Sequence, residues 1–367
     1  MSNLTQQANM EEQPKVGEVL QILDVGYIPP DHLALDGSIL SQSTYPELYA
    51  QVGILRDNGA VNWITRTSGT SSNINTLTYG NGIYVYAGAG GVLGTSTDAI
   101  TWTARTSGTT SSINALIYVN DLYVYAGDGG VLGTSTDAIT WTARTSGTIS
   151  IIYALTYGNG LYVYGGAGGV LRTSTDAITW DTRTSGTAQA ITGLTYGNGF
   201  YVHSSLGTTV GTSTDAITWT QRTHGSTSMN NPVLTYGNGL YVIAASGSGQ
   251  IRTSTDTITW DARSSGTAAS IAGLLYNNGL YVYVGYSGVI GTSTNGITWT
   301  PRTSGSAGQN YAITYGNGTY VYSGQAGVLG SSYDYSYNPV TDFALPAVTV
   351  SYSALPVAGY KLYVKAK

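Results

Sequence analysis

The sequence predicts an all-β fold, and three observations support this prediction. The chain has 50 glycines and 31 tyrosines but only 9% charged residues, and Gly, Thr, Ser, Tyr, Val and Ile favour strands and turns. Residues 48–360 contain no lysine or glutamate, two residues that favour helices. The seven tryptophans recur at steps of 39 residues, with one step of 41. A β-rich repeat of about 40 residues is typical of a β-propeller, so we predict a propeller with seven blades.

Each repeat is predicted to contain four strands, A to D. In the first complete repeat, strand A covers residues 74–79, and an Asn-Gly pair then makes a hairpin turn. Strand B covers 83–87, and a glycine-rich link leads to strand C at 92–96 and strand D at 100–106. Strand A is expected to be crowded and innermost, because a small residue precedes its aliphatic residue at Thr76, Ala115, Ala154, Gly193 and Ala312.

The two ends of the repeat region predict how the ring closes. Trp63 lies in a strand D sequence that has no strands A to C before it, and the last repeat stops at Asp334 without a strand D. Residues 61–67 should therefore supply the outer strand of a blade whose other strands lie within 310–332. This one-plus-three closure places the ends of the propeller side by side, as an insertion into a host domain requires.

The segments on both sides of the repeats are predicted to form one further domain. We expect an N-terminal arm at 1–16, a small domain in two parts at 17–57 and 335–367, and the propeller at 58–334. The sequence GYIPPDHLALDGS, followed by Tyr-Pro-Glu-Leu, resembles the phage tail collar domain of tail-fibre proteins, as does the later Phe-Ala-Leu-Pro. The resemblance covers residues 17–53 and about 341–366, and it implies attachment to a virion.

The stretch before strand D resembles the Asp-box of the bacterial neuraminidase repeat. It reads Ser-Thr-Asp-Ala-Ile-Thr-Trp at residues 96–102, and the resemblance implies a structural turn between strands C and D. The Asp is expected to accept hydrogen bonds from the turn N–H groups while the Trp packs between strands. The box positions are Asp98, Asp137, Asp176, Asp215, Asp256, Asn295 and Asp334.

The residues present argue against several kinds of chemistry. A sialidase is the enzyme that Asp-box blades suggest, but the propeller contains no glutamate to activate a tyrosine nucleophile. Aspartates outside the box, at 121, 128, 181 and 261, leave a glycan-cleaving enzyme with paired carboxylates as an alternative. With no cysteine, three scattered histidines and a net charge of −5, no metal, no cofactor and no nucleic-acid partner is expected. We predict no catalytic residues.

An arginine recurs three residues after each tryptophan, and two roles are open to it. It could form a ring of anion sites, or its side chain could pack against an adjacent blade. Repetition in every unit favours packing. The arginines are Arg66, Arg105, Arg144, Arg183, Arg222, Arg263 and Arg302.

The D–A and B–C links vary between repeats, whereas the A–B and C–D turns are nearly identical. Variable loops on a rigid scaffold are a usual place for recognition, with drift in exposed loops as the alternative. The ligand-binding candidates in these links are His224, Met229, Asn230, Asn231, Leu206, Thr208, Gln250, Asp128, Tyr153, Tyr286 and Gln309.

Together these features predict a phage tail-fibre or receptor-binding protein. The collar-like domain would attach to other tail or fibre proteins, and the propeller would bind a host-surface glycan or receptor, in several copies that give avidity. No signal peptide is recognisable, so we expect synthesis in the host cytoplasm and a place on the virion. The alternatives are a structural fibre joint or decoration protein without ligand binding, and a glycan-cleaving enzyme.

Overall fold

The structure is a computed structural model that describes residues 19–23, 32–34, 39–41, 62–226, 229–247, 249–333, 342–344 and 360–365. The chain divides into two compact units, residues 1–58 together with 335–367, and residues 59–334. The domain boundaries given above stay a prediction, because the residues around them lie outside the described ranges.

Short antiparallel strands make up the described part of the smaller unit. Val19–Leu23 and His32–Ala34 both pair with Tyr360–Lys365, and Ile39–Ser41 pairs with Asp342–Ala344. Strands from both sides of the repeat region therefore join in the same two sheets. Whether this unit is a tail collar domain stays a prediction.

The larger unit is a seven-bladed β-propeller with four-stranded antiparallel blades, which confirms the predicted fold class. In every blade the strand order is A-B-C-D. Strands A of neighbouring blades lie against one another around the central axis, and strands D lie outermost. No helix in the described part of the chain is long and apolar enough to cross a membrane.

The strands keep nearly constant lengths from blade 1 to blade 7. Strand A spans Ile74–Gly80, Ile113–Val119, Ile152–Gly158, Ile191–Gly197, Asn230–Gly237, Ile271–Asn277 and Asn310–Gly316. Strand B spans Ile83–Gly88, Leu122–Gly127, Leu161–Gly166, Phe200–Ser205, Leu240–Ser246, Leu280–Gly285 and Thr319–Gly324. Strand C spans Val92–Ser96, Val131–Ser135, Val170–Ser174, Thr209–Ser213, Gln250–Ser254, Val289–Ser293 and Val328–Tyr333.

Strand D and the B–C links complete the blades. Strand D spans Thr103–Thr106, Thr142–Thr145, Asp181–Thr184, Thr220–Thr223, Asp261–Ser264, Thr300–Thr303 and, in blade 7, Asn62–Thr67. Five of the B–C links form a short 3₁₀ turn, at Ala89–Gly91, Asp128–Gly130, Ala167–Gly169, Tyr286–Gly288 and Gln325–Gly327.

Blade 7 joins the two ends of the repeat region, as the sequence predicts. Its outer strand pairs with strand C over its whole length, with Asn62 opposite Tyr333. The Trp63 ring packs edge-on against Tyr322, with ring centroids 5.4 Å apart. Asp334, the expected box residue of this blade, lies outside the described residues.

Apolar side chains form a separate core cluster at each of the seven contacts between neighbouring blades in the described propeller. Between blades 1 and 2, for example, Val85 and Leu93 pack with Leu116 and Tyr125. Every cluster draws on two blades, so a single blade has no complete core of its own. Closing the ring therefore completes the last cluster.

Strand D is shorter than predicted in the complete repeats. In blade 1 it begins at Thr103 and not at Ile100. The carboxylate of Asp98 accepts hydrogen bonds from the backbone N–H groups of Ile100 and Thr101, both at 2.8 Å. These bonds hold the residues before the tryptophan in a turn, so they are not free to extend the strand.

The propeller has two faces that differ in their connections. Because successive strands run in opposite directions, the A–B turns and the box turns lie on one face, called here the turn face. In blade 1 these are residues 81–82 and 97–102. The B–C and D–A links, such as residues 89–91 and 107–112, lie on the other face, called here the link face. The chain enters the propeller at Asn62 and leaves it at Tyr333, both on the turn face.

Candidate functional site

On the turn face, polar groups are bonded within the turns themselves. Each of the six described boxes repeats the geometry of Asp98, in which one side-chain oxygen accepts two backbone N–H groups. These N–H donors lower the pKa of Asp98 and of Asp137 to about 2. The expected hydrogen bonds of the box turn are therefore present. A relationship to the neuraminidase repeat stays a prediction from the sequence.

The recurring arginines also have a structural contact. Each donates its Nε to a hydroxyl group on strand C of its own blade, as Arg105 does to Thr95 at 2.9 Å. The sequence favoured packing against an adjacent blade, so the partner is different from the one expected. The reason is register: Arg105 lies opposite Leu93, and the Thr95 hydroxyl lies within reach along strand C.

On the link face, every strand A contains a β-bulge close to its start. In blade 1 the register shifts between Ile74 and Thr76, which leaves Asn75 unpaired and redirects its side chain. Because strands A surround the axis, these residues lie at the inner end of the link face, called here the axial mouth. The bulge residues are Asn75, Asn114, Tyr153, Thr192, Ala272 and Tyr311, with Asn231 and Pro232 in blade 5.

One arc of the axial mouth is a chain of amide and carboxylate groups across blades 1 to 3. The Asn75 side chain donates to the backbone oxygen of Ile113 at 3.1 Å. The Asn114 side chain donates to Asp128 at 2.8 Å and to the backbone oxygen of Ile152 at 3.3 Å. The B–C link of blade 2 thus places the half-buried carboxylate of Asp128 at the axial mouth.

A second arc, from blades 6 and 7, is aromatic. The rings of Tyr286 and Tyr311 meet edge to face, with centroids 6.1 Å apart and an interplanar angle of 72°. The Tyr311 hydroxyl donates to Gln309 Oε1 at 2.9 Å, and burial raises the pKa of Tyr311. All three side chains are half-buried, so each keeps one side open to solvent.

Two of the candidate residues from the variable links are enclosed. His224 is 0% exposed and Met229 is 1% exposed. His224 Nδ1 accepts the backbone N–H of Ser226 at 3.3 Å, and burial lowers the pKa of its ring. Met229 and Gly207 exchange backbone hydrogen bonds of 2.8 and 2.9 Å. Both side chains fill the space under the links, so the structure does not present them to a ligand.

The other candidates of blades 4 and 5 lie closer to solvent. Asn230 and Asn231 are exposed, and Leu206, Thr208 and Gln250 are half-buried. Gln250 already accepts a hydrogen bond of 2.6 Å from Ser226. These residues surround the links of two blades and do not join the aromatic or amide arcs.

Sequence reasoning found part of the axial mouth and missed the rest. Asp128, Tyr153, Asn231, Tyr286 and Gln309 belong to it, and all five were candidates. Asn75, Asn114 and Tyr311 were missed, because a bulge is set by pairing between strands and leaves no periodic pattern in one strand. Comparing the second residue of strand A between blades would have pointed to them, since that position varies while the residue before it is isoleucine in five of the seven blades.

The aspartates that could have paired for hydrolysis do not come together. Asp121 precedes strand B on the turn face and Asp128 follows it on the link face, about 20 Å apart for a strand of this length. Asp181 and Asp261 lie on outer strands of different blades, bonded to Arg183 and Arg263. Paired carboxylates of glycosidases are about 5–10 Å apart. Within the described residues, no three His, Asp or Glu side chains are grouped so as to hold a metal ion.

No protein-family model matches this chain, and no curated protein matches it either. Solved structures do resemble it. YCF48 bound to a D1 peptide shares 17% identity, with a TM-score of 0.61 over 75% of this chain and 96% of that one.

Two further solved structures also resemble this chain. Virginiamycin B lyase from Staphylococcus aureus shares 14% identity, with a TM-score of 0.66 over 74% of this chain and 98% of that one. The WD40 β-propeller domain of Doa1 shares 10% identity, with a TM-score of 0.56 over 74% of this chain and 97% of that one. The similar structures thus include an enzyme and a propeller domain named for its fold. At these identities the similarity shows the propeller fold alone.

Proposed function

We propose that this chain is a phage tail-fibre or receptor-binding protein whose propeller binds a host-surface glycan at the axial mouth. The collar resemblance of the flanking segments supports the virion part of the proposal. The observation that carries the binding part is the axial mouth itself, where bulges direct different side chains inward in a fold that is otherwise repeated. We further propose several copies on the virion, joined to other tail or fibre proteins, which would make weak single-site binding sufficient.

The chemistry of the two arcs suits a carbohydrate. The tyrosine rings at 286 and 311 offer apolar surface with polar edges, and they lose little rotamer freedom on binding. Asn75, Asn114 and Asp128 supply both donors and acceptors for sugar hydroxyl groups. Their present hydrogen bonds hold the amide groups in place, which lowers the ordering cost of binding.

We propose that the protein is not an enzyme. Support comes from the separation of the four aspartates outside the boxes, which leaves no pair at glycosidase distance. A structural fibre joint is the alternative. It would bind no ligand, so it would not require the aromatic and amide arcs of the axial mouth.

The test is binding of the full chain to host cells and to extracted host polysaccharide. The variants Y286A/Y311A and N75A/N114A each remove one arc. The control variant I100A/I139A removes two exposed isoleucines of the turn face, which are 49% and 48% exposed. We expect at least tenfold weaker binding for each arc variant and no change for the control, because each variant removes two contacts. A loss of about 1 kcal/mol at each contact gives about 2 kcal/mol in total, and about 1.4 kcal/mol is a factor of ten.

Thermal melting of each variant shows whether it is folded. Folded arc variants that bind host cells as the parent does would contradict glycan binding at the mouth and favour the structural joint. Release of reducing sugar from the polysaccharide by the parent would instead favour the enzyme.

A further inference from the structure

The outer rim of the link face carries a second feature, independent of the axial mouth. There strand D ends and the D–A link begins within an Arg-Thr-Ser-Gly-Thr sequence in most repeats. In blade 1, Arg105, Ser107 and Gly108 line a cleft of about 670 Å³, which also includes Gly91 and Thr110. In blade 2, the equivalent cleft has a volume of about 600 Å³ and is lined by the corresponding residues around Arg144.

Both clefts contain positive charge and no acidic side chain among their lining residues. The Nε atoms of Arg105 and Arg144 are bonded to threonines, each at 2.9 Å. Neither arginine forms an ion pair with a described residue. Their terminal N–H groups are therefore left for an outside acceptor, and the planar end of a guanidinium group fits an oxyanion with two parallel hydrogen bonds.

Blades 3 and 5 show how the same fold closes such a cleft. Asp181 and Asp261 take the position that Thr103 has in blade 1, and they form ion pairs of 3.0 and 2.8 Å with Arg183 and Arg263. The turns that follow are also covered. A Cβ added at Gly186 would lie 2.7 Å from Gln221, and one at Gly266 would lie 2.7 Å from Pro301. Nothing lies within 4 Å of a Cβ added at Gly108 in blade 1, whereas in blade 2 a Cβ added at Gly147 would meet the guanidinium group of Arg172.

The blade 2 cleft has two additional features. Arg172 of the next blade donates to the backbone oxygen of Gly147 at 2.5 Å, so a second guanidinium group lies at its edge. Ile149, which lines the cleft, is 92% exposed. A charged group beside an exposed apolar side chain suits a ligand that combines an anion with carbon-bound hydrogens.

We propose that the clefts at Arg105 and Arg144 bind oxyanion groups of an acidic polysaccharide, one group in each cleft. Equivalent clefts in adjacent blades suit a polymer that carries charged groups at regular intervals. Because the clefts are shallow and open to solvent, such a ligand would be held by several weak contacts.

The chain itself supplies the test variant. T103D/T142D copies the aspartates of blades 3 and 5 into blades 1 and 2, where they would neutralise the two arginines on a strand known to accept that pair. Thr97 and Thr136 are exposed on the turn face, so T97D/T136D adds the same charge away from the clefts. Binding of the full chain is measured at low salt to polygalacturonate, dextran sulfate and neutral dextran.

We expect binding to polygalacturonate, dextran sulfate or both, and none to neutral dextran. Polygalacturonate alone would identify a carboxylate site and dextran sulfate alone a sulfate site. T103D/T142D should weaken binding at least tenfold, and T97D/T136D should change it less than twofold. No binding to either polyanion, or an equal loss in both variants, would overturn the proposal. The axial-mouth variant Y286A/Y311A should keep this binding, so failure here and failure of the proposed function are distinguishable.

Discussion

The turn face and the link face of the propeller are built from the same repeats but differ in what their residues do. On the turn face, every A–B turn has an asparagine with positive φ, and the six described box turns have the same hydrogen bonds. On the link face, the bulge residue changes from Asn to Tyr to Thr to Ala. The turn face therefore fixes the geometry of the strands, and the link face can change side chains without changing that geometry.

The difference follows from where backbone groups find their partners. A tight turn with positive φ, as at Asn81, accepts few residue types, so repeats stay alike there. A bulge residue contributes no ladder pair, so its side chain is free to vary. Recognition is thus expected on the link face, while the turn face fixes the geometry of the strands. Four predictions concern the stability of the propeller, and the second compares the two faces directly.

The largest effect should come from the strand that closes the ring. Deleting residues 62–67 would remove strand D of blade 7 and take Trp63 out of its contacts with Tyr320 and Tyr322. We expect a loss of more than 3 kcal/mol in unfolding free energy, and aggregation through the exposed edge of strand C. Thermal melting and size-exclusion chromatography measure both.

A matched control changes the same strand without opening the ring. Ile64 and Thr65 are exposed, so I64S/T65S should melt close to the parent. If the deletion variant also melts and elutes like the parent, the one-plus-three closure is not needed for stability.

The next effect concerns the Asn-Gly turns. Asn81, Asn159 and Asn238 have φ values of 46°, 42° and 45°, where an alanine is strained by about 1–2 kcal/mol. Each Asn→Ala change should lower the unfolding free energy by about 1 kcal/mol in chemical denaturation. On the link face, T110A and I149A change exposed side chains and should have almost no effect. Equal losses on both faces would remove the distinction between them.

A smaller effect concerns a hydrogen bond between strand B and the D–A link, called here the tether. In five blades a strand B tyrosine donates to a link carbonyl, as Tyr86 does to Ser68 at 3.0 Å. Blade 4 has His203 there, fully buried, and burial lowers its pKa to about 4. H203Y should add a tyrosine hydroxyl as a donor to the carbonyl of Ser185, which already accepts from Gln221, and raise stability by about 1 kcal/mol at pH 7.

The same variant changes the pH dependence. Unfolded histidine binds a proton near pH 6.5, whereas folded His203 resists it until about pH 4. The parent therefore loses stability as the pH falls from 6.5 to 4, and H203Y should lose less. If the melting temperatures of the two proteins have the same dependence on pH over this range, folded His203 does not resist protonation as stated.

The smallest effect on stability, counted for each box turn, should come from protonation of the box carboxylates below pH 4. Their pKa values are lowered by backbone N–H groups in the folded protein, to about 2 for Asp98. Their stabilisation is present above the ordinary pKa of aspartate and lost as the pH falls from about 4 to 2. The groups are exposed, so each contributes little.

Asn295 gives the matched comparison for the boxes, because it accepts the same two N–H groups at 2.9 Å without a charge. A variant with Asn at 98, 137, 176, 215 and 256 should melt with a flatter dependence between pH 4 and 2. An unchanged dependence would mean that other groups control the acid stability.

Much of the propeller could be predicted because seven copies of one repeat can be compared within a single sequence. The spacing of the tryptophans gave the number of blades, and the unmatched Trp63 gave the closing strand. The start of strand D was predicted three residues too early, at Ile100 and not at Thr103. The Asp98 carboxylate accepts hydrogen bonds from the residues just before the tryptophan and holds them in a turn. His224 and Met229 looked like loop residues, but their links fold over them.

By itself, the sequence determined the fold class, the seven blades, the closure and the division into a uniform and a variable face. Each of these follows from spacing along the chain, which is local information repeated many times. Only the tertiary structure decided which variable residues meet: Tyr286 with Tyr311, Asn114 with Asp128, and arginines with or without an acidic partner. The first two contacts depend on the bulges and on the B–C links, which bring together residues 25 and 14 positions apart. The arginine pairs depend on the side-chain conformations of residues that lie two positions apart on strand D.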